Sequence, residues 1–155
     1  MASARFPLAT IGYEGTTVRQ FLEALTGART ALLVDVRALA SSRRPGFAKT
    51  ALAANLAGAG IDYLHLRRLG TPADGRAAAR AARHAEMREI FLTHLATPEA
   101  QEELATLADL VRSGRRIALM CFEADPAHCH RSLVANALRE LVPIDVEHLR
   151  PELDE

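Results

Sequence analysis

The densest run of reactive side chains is Cys121-Phe-Glu-Ala-Asp-Pro-Ala-His-Cys-His-Arg-Ser132. It holds two thiols, two imidazoles, two carboxylates and a guanidinium within twelve residues. Three chemistries suit that composition. Arg131 and the free N–H groups at the start of a following helix would hold a phosphate or carboxylate, with His128, His130 and Ser132 beside it. Cys121, His128, Cys129 and His130 are residue types that ligate a soft metal, although they lack the two separated pairs of a structural zinc motif. Cys121 or Cys129 would alternatively act as a nucleophile, its thiol pKa lowered by the helix N-terminus and Arg131. A plainer reading competes with all three. Asp125-Pro126 is an ordinary helix-start signal, and a cysteine ending a buried strand packs as a small apolar residue.

Asp35-Val36-Arg37 follows directly on the apolar run Ala31-Leu-Leu-Val34. Such a charged pair either braces a loop or works on a ligand, with Arg37 gripping an anion and Asp35, like Glu123, serving as acid or base. Arg43 and Arg44 add positive charge to the same loop, and Arg67 and Arg68 would extend the patch. Gly12-Tyr13-Glu14-Gly15 is a third polar segment. Tyr13 would stack on a base or sugar, or else pack in the core; Glu14 is either a loop carboxylate or a catalytic one. Gly12-x-x-Gly15 is not a dinucleotide fingerprint, and no Walker A lysine follows a glycine loop. NAD binding and nucleoside triphosphate hydrolysis are therefore not expected, and no cofactor is identified. His65 reads as a satisfied core histidine, His84 and His94 as surface residues.

The elements that must position these segments follow from apolar spacing. Strands are expected at Pro7 to Gly12, Ala31 to Val34, Ile61 to Leu66, Arg116 to Cys121 and Ile144 to Leu149. Thr16 or Thr17 caps a helix with Val18, Phe21, Leu22 and Leu25 on its apolar face. A second helix runs from Lys49 to Ala57. A long helical region after Gly75 divides near Thr97-Pro98, Pro98 fitting the first turn of a helix that runs to about Arg112. A last helix turns Leu133, Val134, Ala137, Leu138 and Leu141 inward. Strands alternating with helices imply crossover units: a single three-layer α/β domain over residues 1–155, Rossmann-like, with a mostly parallel five-stranded sheet and helices on both faces. The expected sheet order is 3-2-1-4-5. Ligands bind such sheets beyond the carboxyl ends of the strands, where the order reverses. The three polar segments all follow strand ends, so they would line one mouth.

Composition sets the outer limits. The chain has 155 residues, enough for one domain with a real core. With 49% apolar and 25% charged residues it is not a disordered chain. Nineteen basic residues balance nineteen acidic ones, so no whole-molecule field draws it to nucleic acid or membrane. Lys49 is the only lysine, a bias that a GC-rich coding sequence accounts for. No apolar run reaches the roughly 18 residues of a membrane span, and the first residues lack the charged-then-apolar order of a secretory signal. A cytoplasmic protein is expected, monomeric or homodimeric, with Cys121 and Cys129 kept as thiols.

Five signatures in order carry a family resemblance: Thr10-Ile-Gly-Tyr-Glu-Gly, Leu33-Val-Asp-Val-Arg37, Ser42-Arg-Arg-Pro-Gly-Phe47, Ile61-Asp-Tyr-Leu-His-Leu66 with Leu69-Gly70, and Cys121-Phe-Glu…His128-Cys-His-Arg-Ser132. Over roughly Thr10 to Leu141 the chain resembles the domain of unknown function 488 family. The resemblance implies a compact bacterial or archaeal α/β domain and supplies no activity. It marks Gly12, Glu14, Asp35, Arg37, Arg43, Cys121, Glu123, His128, Cys129, His130 and Arg131 as hallmark positions. Tyr13-Glu14 departs from the His-Ser of many relatives, which weighs against a catalytic role for Glu14. Val34-Asp-Val-Arg37 is also similar to the strand-end motif of rhodanese domains. Their Cys-x4-Arg loop is missing here, so neither sulfur transfer nor tyrosine-phosphatase-like chemistry is expected. The expected function is an enzyme-like domain binding a phosphorylated, nucleotide or nucleic-acid ligand at the strand ends. A non-catalytic nucleic-acid-binding protein and a metal-binding protein are the alternatives.

Overall fold

Each expected strand forms within one residue of its expected bounds, and all five join one parallel sheet. A computed structural model describes residues 5–151; residues 1–4, on which the expected lack of a secretory signal partly rests, lie outside that range. The order along the chain is β1 (Phe6–Gly12), α1 (Val18–Gly27), β2 (Leu32–Asp35), α2 (Lys49–Gly58), β3 (Asp62–His65), α3 (Ala73–Arg80), α4 (His84–Leu95), α5 (Pro98–Arg112), β4 (Ile117–Cys121), α6 (His130–Arg139) and β5 (Ile144–His148). Among the described residues no helix is long and apolar enough to cross a membrane.

The sheet order is β3-β2-β4-β1-β5, which corrects the expected 3-2-1-4-5 by exchanging β1 and β4. Burial accounts for the exchange. All five residues of β4 are buried, whereas β1 begins with the partly exposed Phe6 and Pro7. The strand that is apolar at every position takes the centre of the sheet, where both faces are covered. β1 and β4 are still neighbours, so the crevice beyond their carboxyl ends survives the correction. Gly12 pairs with Cys121, and Asp35 with Met120, so three strands end at nearly one level.

Side chains alternate across the sheet with the period of two that a strand imposes. Ile117, Leu119 and Cys121 face one core with Val34, Phe91, Leu107 and Leu138, under α3 to α6. Ala118 and Met120 face the other with Leu33, Phe21, Leu52 and Leu56, under α1 and α2. Thr17 caps α1 by accepting from the Gln20 amide, while Gln20 Oε1 accepts from the Thr17 amide in a capping box. Thr97 caps α5, with Pro98 in its first turn, where its missing N–H costs nothing.

Two further expectations are corrected. The helical region after Gly75 breaks twice, because the chain turns at Ala82 (φ 60°) between α3 and α4. No glycine or proline signals that turn; it lets Ala78, Met87 and Phe91 reach one core. α6 ends at Arg139, which leaves Leu141 exposed instead of inward.

Candidate functional site

Beyond the carboxyl ends of β1, β2 and β4 lies a pocket of about 340 Å³. Tyr13 comes from the first polar segment, Arg37, Ala38, Leu39 and Ser41 from the second, and Cys121 to Glu123 with His130 from the third. The three segments do meet at one mouth. The fourth wall is α3, which contributes Arg76 and Arg80. A wider depression of about 600 Å³ lies along the end of α1 and β5, but no thiol lines it.

The Asp35–Arg37 pair is built into the frame of this mouth. Asp35 is fully buried and Arg37 is 6% exposed. The Arg37 backbone N–H and Nε donate to Asp35 Oδ1 at 3.0 and 2.9 Å, and Nη2 donates to Oδ2 at 2.7 Å. Tyr63 adds a hydroxyl donor to Oδ2 at 2.6 Å. Arg37 Nη1 donates to the Tyr13 hydroxyl and to the Phe47 carbonyl. Burial disfavours the Arg37 cation, but the hydrogen bonds and charge of Asp35 outweigh it and hold its pKa above the ordinary value. Burial and then Asp35 likewise raise the Tyr63 pKa. With its oxygens so fully engaged, Asp35 is the anchor of Arg37. It has no free edge for a substrate proton, unlike the acid or base expected from the sequence. Tyr13 is buried and stacks on Phe47 with centroids 4.6 Å apart, so the core half of its expected role is the one observed.

Arg131 is also wholly buried, and both of its Nη atoms bond to the chain while the buried Nε has no partner among the described residues. It donates to the Glu123 and Ala124 carbonyls and, at 3.3 Å, to Cys121 Sγ. Burial lowers its pKa to about 10. It therefore ties down the loop after β4, which corrects its expected role as an anion ligand. Gly12 serves the same loop. A Cβ there would overlap the Glu123 carbonyl oxygen, so only glycine lets β1 pass so close. Glu14 accepts from the Ala124 amide at 3.0 Å and its own amide donates to Phe122, so it is a loop brace.

The reactive groups that remain lie together. Cys121 and Cys129 are joined as a disulfide, which corrects the expectation of two thiols. Cys129 is the N-cap residue of α6, and His130 begins the helix. The His130 Nε2–H donates to the Val36 carbonyl at 2.7 Å, which leaves Nδ1 facing Cys129 Sγ at 3.9 Å. Burial, opposed by the Val36 bond, holds the His130 pKa down to about 4, so the ring is neutral. Glu123 lines the pocket with Oε2 3.6 Å from Cys121 Sγ. Burial raises its pKa, although its own backbone hydrogen bond and Arg131 oppose the shift.

Four expected residues stand elsewhere. His128 is exposed, lies 3.5 Å from Asp125 and stacks on His84, outside the Cys–His130 group. Ser132 donates to the Pro126 carbonyl. Arg44 reaches back to the Thr16 carbonyl, and Arg43 is exposed outside the pocket walls. Arg67 and Arg68 are exposed as well, and of the five arginines expected to form a patch only Arg37 lines the pocket. His65 bonds the Arg37 carbonyl, as a satisfied histidine does. Sequence reading missed Arg76 and Arg80. Their i,i+4 spacing in an alanine-rich stretch puts both on one helix face, but only the folded chain sets that face over the strand ends.

The family model for a domain of unknown function, DUF488, matches residues 17–138. The chain belongs to that family. DUF488 carries no assigned activity in its description, and the match takes in the Asp35–Arg37 turn, the pocket arginines and the whole Cys121–Ser132 segment. The Thr10–Gly15 signature falls just outside it. No curated protein and no solved structure matches the chain.

Proposed function

We propose that this DUF488 protein is an enzyme acting on a compact phosphate-bearing molecule, bound in the pocket at the strand ends. One observation carries the reading: Arg76 and Arg80 of α3 line the same cavity as Cys121, Glu123 and His130. Cations and reactive groups around one cavity are what a site needs to hold an anionic handle while it works on the rest of a substrate. At about 340 Å³ the cavity suits a single nucleotide or sugar phosphate better than a strand of nucleic acid. Arg76 also donates to the Thr71 carbonyl at 2.8 Å, which holds its guanidinium in place for a ligand. Glu123, with its carboxyl on the pocket wall, is the acid or base of this proposal, in place of Asp35. We assign the activity to the bacterial cytoplasm, where a reducing milieu makes the chemistry of Cys121 and Cys129 available.

The test is calorimetric binding of inorganic phosphate, nucleoside monophosphates and sugar phosphates. A charge-assisted hydrogen bond contributes about 1.5–3 kcal/mol, so Arg76→Ala or Arg80→Ala should weaken the best binder by at least about tenfold. Arg43→Ala should leave it unchanged. Failure of every phosphate to bind, or equal affinity in all variants, would overturn the reading. Affinity falling steeply with salt, with longer oligonucleotides preferred, would favour the nucleic-acid alternative instead.

A further inference from the structure

We propose that Cys121, Cys129 and His130, once the cystine is reduced, form a binding site for one divalent metal ion of the zinc class. The inference stands apart from the anionic-ligand reading, because its three groups include neither pocket arginine and need no substrate. One ligand atom from each residue lies within 4.8 Å of the other two, and all three side chains are buried. Two thiolates and an imidazole are a soft donor set that selects zinc-like ions over magnesium or calcium.

The surroundings are arranged as a metal site requires. A ligating histidine normally donates its second ring N–H to a carbonyl or carboxylate, which fixes its tautomer. His130 does so through Nε2 to Val36, so the Nδ1 lone pair is the one turned to the cysteines. Arg131 Nη1 stands 3.3 Å from Cys121 Sγ and would donate to the thiolate there. Two thiolates neutralise a divalent ion and the histidine is neutral, so the buried unit would carry no net charge. Cys121 and His130 also line the pocket with Glu123, so a fourth coordination position opens towards it. Adjacent residues such as Cys129 and His130 seldom face one ion. The chain meets that objection because Cys129 caps α6 in extended conformation (φ −124°, ψ 141°) while His130 begins the helix, and Nδ1 turns back towards Sγ.

The redox step balances simply. A dithiol reductant supplies two electrons and two protons to the Cys121–Cys129 bond, giving two thiols and leaving the reductant as its own cyclic disulfide. Metal binding then displaces the two thiol protons. Re-oxidation by a disulfide of higher potential removes two electrons, re-forms the Sγ–Sγ bond and releases the ion.

The experiment uses the full chain, reduced or oxidised, with thiol content measured first and Co2+ as the spectroscopic probe. Reduced protein should bind one equivalent of Co2+ with a thiolate-to-cobalt charge-transfer band and tetrahedral d–d bands, and Zn2+ should displace it. The oxidised protein, Cys129→Ser and His130→Ala should each lose the charge-transfer band or bind at least about tenfold more weakly. Far-ultraviolet circular dichroism confirms that each variant is folded, and Cys121→Ser is the substitute if one is not. Reduced wild-type protein that binds no better than the Cys129→Ser variant, or oxidised protein that binds equally well, would overturn the proposal. Phosphate affinity measured in parallel reports on the pocket separately, so either reading can fail alone.

Discussion

Removing the Asp35 carboxylate strands a buried cation, and the cost can be worked out from the contacts. Arg37 is only 6% exposed, and its Nε and Nη2 lose acceptors at 2.9 and 2.7 Å in Asp35→Ala. Breaking a buried pair by deleting one partner typically costs about 3–5 kcal/mol, because the other charge is left uncompensated. A domain of this kind has only about 5–15 kcal/mol in all. With a urea slope of roughly 2 kcal/mol per molar, the unfolding midpoint should fall by about 2 M. The assay is urea denaturation followed by far-ultraviolet circular dichroism. Arg37→Met added to Asp35→Ala should recover part of the loss, since no charge is then buried, although the bond to Phe47 is forfeited. Asp35→Ala costing less than about 1 kcal/mol, or a double variant weaker than the single one by the full sum, would refute the argument for a structural pair.

Gly12→Ala should lower stability by about 1–3 kcal/mol in the same assay, because the new methyl group meets the Glu123 carbonyl; an unchanged midpoint would show that the loop has room. Phe91→Ala, which empties a fully buried site in the larger core, should cost about 3–5 kcal/mol, again read from the urea midpoint. His148 has its pKa lowered by burial and by Arg131, Arg139 and Arg150. Its neutral form is favoured by folding, so its contribution is full above the ordinary histidine value of about 6.5 and is lost as pH falls towards the depressed one. His148→Gln should therefore show a smaller stability difference between about pH 5 and about pH 7.5 than the parent chain.

Local rules made most of the elements legible. Apolar runs located the strands because a strand buried on both faces has little polar alternative, and Thr17 and Thr97 announced two helix starts. The exchange of β1 and β4 was not legible, since order depends on which strand best tolerates the centre of the sheet, a comparison among all five. The convergence of three loops was readable from alternation alone. The roles within it were not: Asp35, Arg131 and Glu14 look like catalytic or binding groups by type, and only distances show that the fold consumes them. Arg76 and Arg80 had the opposite fate. Nothing in an Ala/Arg stretch separates a solvated arginine from one aimed into a cavity.

The place of β4 has a consequence for how the chain reaches its native state. Until residue 121 has been synthesised, β1 has no neighbour on either side, and the β2–β3 ribbon is separated from it by the width of one missing strand. The amino-terminal three quarters are thus an unfinished sheet with exposed edges, open to pairing with other chains. Closure waits for a single apolar pentapeptide to slide between β2 and β1. Contacts so distant along the chain form slowly, which makes this a molecule that folds late in its own synthesis and benefits from shielding until then.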